Sequence, residues 1–115
     1  MGAELTEQIQ MALCRQYGRE FVPCPSDSKL GLALQTLGRM PINGLRHRPA
    51  NGTNGWYIWA GEYSSDKDFF APLHTWHLPQ RLPEAVRFLG LPPGNRFLVA
   101  GDYVDVWFDE FLLRV

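Results

Sequence analysis

The sequence predicts an α+β fold: a small single domain over residues 1–115 with a mostly antiparallel sheet and two main helices. Three observations predict it. Apolar residues recur at helical spacing near the N-terminus. Trp56, Ile58 and Ala60 alternate with Tyr57, Trp59 and Gly61, as they would along a strand. Two further apolar runs meet at Gly101-Asp102, a hairpin signal. Helix and strand signals are thus interspersed, with antiparallel pairing at the end, and that mixture is the α+β class.

The first helix is expected over residues 4–17, burying Leu5, Ile9, Ala12 and Leu13 and stopping at Gly18. Phe21–Pro25 carries two prolines, each disfavouring helix in the residue before it, and reads as extended linker. Leu30–Leu37 has leucine spacing that permits helix, but Gly31 and its short length favour a buried strand. Asn-Gly pairs and prolines between Pro41 and Gly55 predict turns and loop. Gly55–Tyr63 is the clearest strand; with two apolar faces it is central, or one face binds a partner. Ser64–Pro72 reads as loop.

Leu78–Leu89 is the second helix. Pro83 suits its first turn, Glu84 its positive end and Gly90 the position past its end, with Leu82, Val86 and Leu89 buried. Leu91–Asn95 turns into the strands Arg96–Ala100 and Tyr103–Phe108. Trp107 is expected in the core, because Val106 and Phe108 make its strand apolar on the other side too.

With 115 residues, 45% of them hydrophobic, the chain can bury a real core. A formal net charge of −1 lacks the basic excess of a nucleic-acid or membrane-surface binder. No apolar run approaches the about 18 residues of a membrane span, and Met1–Glu7 lacks a signal-peptide pattern. The expectation is a cytoplasmic protein. Its two cysteines stay reduced there, Cys14 as a core thiol and Cys24, between prolines, as an exposed one.

Catalytic signals are weak. His74 and His77 have the spacing of two ligands on a helical turn, but no spacing supplies a third, so no metal and no cofactor are expected. Acid pairs such as Glu62 with Asp66 or Asp68 suit acid–base chemistry, yet they read better as a solvated or partner-facing patch. No nucleophile elbow or phosphate loop is present. In Arg46-His47-Arg48, Arg46 suits a buried tie to an acid of the aromatic segment, because its fork can hold a carboxylate with two bonds. Trp56 and Trp59 must face opposite sides of their strand, one inward and one free for a partner.

Five runs together resemble a known family: Pro41–His47, Gly55–Glu62, Asp68–His74, Leu89–Leu98 and Asp105–Glu110. In that order they are similar to the thirty-third numbered family of bacterial polymorphic-toxin immunity proteins, over roughly residues 30–113, with the N-terminal helix outside the match. The resemblance implies a protein that binds and neutralises a toxin without catalysis of its own.

The residues' own chemistry points the same way. Rigid aromatic rings give contact area, and acids beside them match a basic partner surface. The expected contacts are Glu62, Tyr63, Asp66 and Asp68 in one segment and Asp102, Tyr103, Asp105 and Asp109 in the other. The alternative is a small-molecule or hydrolase pocket built from Arg46, His47, Glu62 and His74.

Overall fold

A computed structural model describes residues 2–114. Met1 and Val115, the two ends of the expected domain, lie outside the described residues. The elements are α1 (Gly2–Gln16), β1 (Lys29–Leu32), β2 (Ile42–Arg46), β3 (Thr53–Ala60), β4 (Ala71–His74), α2 (Leu78–Arg81), α3 (Pro83–Val86), β5 (Asn95–Ala100) and β6 (Tyr103–Phe108). The six strands form one sheet in the order β4-β1-β3-β2-β5-β6. Only β1 and β3 run parallel. The expected α+β class with a mostly antiparallel sheet is therefore what the chain adopts.

One face of the sheet carries the main core. Across the central strands, Ile42 stands opposite both Ala60 and Val99, and Gly44 opposite both Ile58 and Phe97. Leu13 and Cys14 of α1, Leu78, Leu82, Ala85, Phe88 and Leu91 pack on that face. Gly44 is required here. A Cβ at this position would run into the Phe97 ring, and that ring is stacked on Phe88 at 4.3 Å. The Asn43-Gly44 pair, expected in a turn, therefore lies inside a central strand, because glycine makes room for an aromatic ring.

Other boundaries moved for equally local reasons. Leu30–Leu37 divides into β1 and a single 3-10 turn at Leu34–Thr36. Part of the expected Ser64–Pro72 loop is β4, whose Pro72 is tolerated because β4 is an edge strand. The second helix is two short ones. Pro83 pushes Leu82 to φ −153°, ψ 72° and so ends α2. The α1 boundary is close to expectation, and its end is a Schellman motif: Gly18 has φ 66°, and the Arg19 amide donates to the Cys14 carbonyl at 2.8 Å.

The buried face of α1 differs from the expected stripe. Leu13 and Cys14 are buried with Gln10, whereas Leu5 is 59% and Ile9 47% exposed, and Ala12 is exposed too. Gln10 tolerates burial because its side-chain amide donates to the Val86 carbonyl at 2.8 Å.

Candidate functional site

The second face of the sheet is where function is best sought. Its side chains fall in rows set by the register. One row runs Tyr57, Leu45, Arg96, Trp107, and the next runs Trp59, Asn43, Leu98, Asp105. Tyr103 begins a third, opposite Ala100. The segment after β3 folds back over the β3 side of this face. Phe69 and Trp59 form a small second core there, with Phe70 and Leu45 packed against it. Their rings meet edge to face: Trp59 with Tyr63 at 5.3 Å, Tyr57 with Phe70 at 5.2 Å. Trp56 and Trp59 do face opposite sides, but Trp59, only 5% exposed, is covered by its own loop and not free for a partner.

Over β2, β5 and β6 the face stays open. Asn43, Leu45, Arg96, Leu98 and Trp107 are half-buried, and Asp105 and Tyr103 are exposed. Trp107 is thus a surface residue and not the core residue expected, because its register places it on this uncovered side. The Arg96 guanidinium lies 5.6 Å from the Trp107 ring centroid and pairs with Asp109 at 3.2 Å.

The structure brings most of the expected contact residues to one end of the sheet. Glu62 and Tyr63 follow the end of β3 at Ala60. Gly101-Asp102 joins β5 to β6 at the same end, since Ile42 pairs with both Ala60 and Val99. Three strand spacings, roughly 14 Å, separate β3 from β6. Asp66 and Asp68 are exposed, with the Asp66 carboxylate accepting the Asp68 amide at 3.0 Å. Asp109 is the exception. It sits at the opposite end, where it holds Arg96 and accepts the Phe111 amide at 3.1 Å.

The alternative group is not brought together. Arg46 lies on the core face, 1% exposed. It is a buried tie, as expected, but to backbone carbonyls and not to a carboxylate. Its Nε donates to Asn54 at 3.0 Å, and Nη1 donates to Val22 and Leu91, each at 2.8 Å. Burial holds its pKa below the usual arginine value. The same burial pushes the Cys14 and Cys24 thiols up, against the opposing pull of Arg46. Cys24 is half-buried and donates to the Leu89 carbonyl at 3.3 Å. His47 follows β2 at one end of the sheet and Glu62 lies at the other. His74 is exposed on edge strand β4. Among the described residues no group of three or more His, Cys, Asp or Glu is placed to hold a metal ion, and no helix is long and apolar enough to cross a membrane.

Leu45, Leu98 and Asn43 also lie on the open face, outside the expected contacts. The signal was available: Asn43 and Leu45 alternate with Ile42 and Gly44, but the Asn-Gly pair hid the strand.

A family model described as Imm33-like domain matches residues 9–109. The chain belongs to the Imm33-like family. The Imm33-like match reaches further than the sequence resemblance did, taking in most of α1 from Ile9 onward. No curated protein and no solved structure matches the chain.

Proposed function

We propose that this Imm33-like protein is a non-catalytic binding module that neutralises a cognate bacterial toxin in the cytoplasm. The observation carrying the reading is the strip over β2, β5 and β6, which stays open while loop 61–70 covers the β3 side of that face. It joins apolar contact area from Leu45, Leu98 and Trp107 to acids at one end, Glu62, Asp102 and Asp105. Aromatic anchors beside charge are the composition of a protein interface.

Size extends the footprint. Three strands about 14 Å wide and 17 Å long give roughly 240 Å² of floor. A stable interface takes about 800 Å² per partner. The partner therefore also touches the flanking segments, which is where Tyr63, Asp66, Asp68 and Tyr103 project. Asp109 acts differently, fixing Arg96 over Trp107.

The test is titration of the toxin domain encoded beside this gene against wild type and the Asp66→Lys/Asp68→Lys double variant across a salt series. Both sites are exposed, so a thermal melt should show a loss of about 0.5 kcal/mol per site or less. Against a basic toxin surface, association should slow about tenfold and its salt dependence should flatten. Unchanged affinity and salt slope in an intact fold would remove this loop from the interface.

A further inference from the structure

A pocket that the acidic contacts do not use lies on the same side of the sheet, over β2 and β3 and beside the open strip. It has a volume of about 480 Å³, and its lining includes Leu45, His47, Arg48, Tyr57, Tyr63 and Phe70. Its floor is apolar and aromatic. The charged group among its lining residues is basic, Arg48. No acid lines it. Arg48 is exposed and has no salt bridge among the described residues. His47 is held in place, its Nδ1 against the Leu112 carbonyl at 3.0 Å, so that nitrogen carries the proton. Its ring meets Tyr57 edge to face at 5.6 Å.

We infer that this pocket is a socket for an acidic side chain of the bound partner, its carboxylate at Arg48 and its stem on Tyr57 and Phe70. The inference rests on the partner-binding reading above and names what the partner must present. Charge complementarity decides the occupant. A basic side chain would meet an unpaired cation, and a purely apolar one would leave the Arg48 fork empty. Arg48 then stands at one end of the face, where Asp109 is already paired with Arg96, and Glu62 and Asp102 stand at the other. A matching partner carries its acid and its basic patch on opposite sides of one contact surface, which fixes a single docking orientation.

Amide NMR spectra titrated with phenylacetate, phenylacetamide and phenethylamine test the chemistry. Phenylacetate should move the amides of Gly55, Tyr57 and Phe70 saturably, the two other probes about tenfold more weakly, and Arg48→Glu should abolish the preference. Equal response to all three probes, or none at these amides, overturns the socket. Binding of the neighbouring toxin to Arg48→Glu tests the occupant, with about a tenfold or larger loss expected. Unchanged toxin affinity beside lost phenylacetate binding overturns the partner's use of the socket. If the wild type binds phenylacetate but no toxin, the partner-binding reading itself fails, and the socket belongs to a free acid.

Discussion

Arg46 and Trp56 stand directly opposite each other on β2 and β3, and both donate to the carbonyl of Leu89, Trp56 at 3.0 Å and Arg46 at 3.4 Å. A buried cation is thereby solvated by main-chain carbonyls, with the Trp56 ring centroid 5.8 Å from its guanidinium. Among the described residues no acid supplies its counter-charge. Carbonyl dipoles from the linker, from β3 and from the turn before β5 take the place of water.

Arg46→Met should destabilise the protein by about 2–4 kcal/mol, since it leaves the Val22 and Leu91 carbonyls without their donor. Arg46→Lys should recover only part, because one ammonium cannot span carbonyls on three segments. Urea unfolding measures both. A loss below about 1 kcal/mol for Met would mean that relief of the buried charge offsets most of the lost bonds.

Gly44→Ala should cost about 3 kcal/mol or more. The added methyl meets the Phe97 ring, which Phe88 and Trp56 keep from moving aside. Gly38→Ala probes a different cause, backbone strain at φ 98° with no atom within 4 Å of the new methyl. Thermal melts of the two variants separate overlap from strain. If Gly44→Ala melts with wild type, β2 does not pack against Phe97 as described.

The tryptophans should divide by face. Trp56→Ala removes a ring that is 0% exposed and should cost about 3–5 kcal/mol. Trp107→Ala removes a half-buried ring from the open strip and should cost about 1 kcal/mol, while weakening toxin binding about tenfold or more. Equal stability losses would show that the open strip is covered in solution.

Alkaline pH should destabilise the fold through its thiols. Burial raises both above the ordinary thiol value of 9.0, which holds in the unfolded chain. Below that value both states are protonated and the stabilisation is fully present. As pH rises past 9.0 the unfolded state ionises first, and stability is lost progressively up to the folded values. The Cys14→Ala/Cys24→Ala variant should therefore lose less stability than wild type between pH 8 and pH 10 in urea melts. Parallel losses would assign the alkaline effect to other groups.

The sequence made the sheet's periodic parts legible and hid the parts whose spacing serves a neighbour. The β5–β6 hairpin and the faces of Trp56 and Trp59 follow from alternation alone. β2 did not, because its Asn43-Gly44 pair has turn chemistry and its glycine answers to Phe97, 53 positions later. The acids at Glu62 and Asp102 were visible, but their gathering at one end of the sheet depends on strand order. The exposure of Trp107 is hidden for the same reason: alternation says which residues share a face, not which face the rest of the chain covers.

The free edge at β6 has a consequence for solubility. Among the described residues Tyr103–Phe108 pairs with β5 on one side only, which leaves its other ladder open to a second strand. Of its residues, Tyr-Val-Asp-Val-Trp-Phe, only Asp105 is charged and none is proline. Such an edge templates association unless a charge interrupts it. Asp105→Val would turn it into six uncharged, β-prone residues, and light scattering should then rise with concentration where wild type stays clear. The acid proposed to face a toxin should then also keep copies of the chain from adding to one another's sheets, and a change here should alter the colloid before it alters the fold.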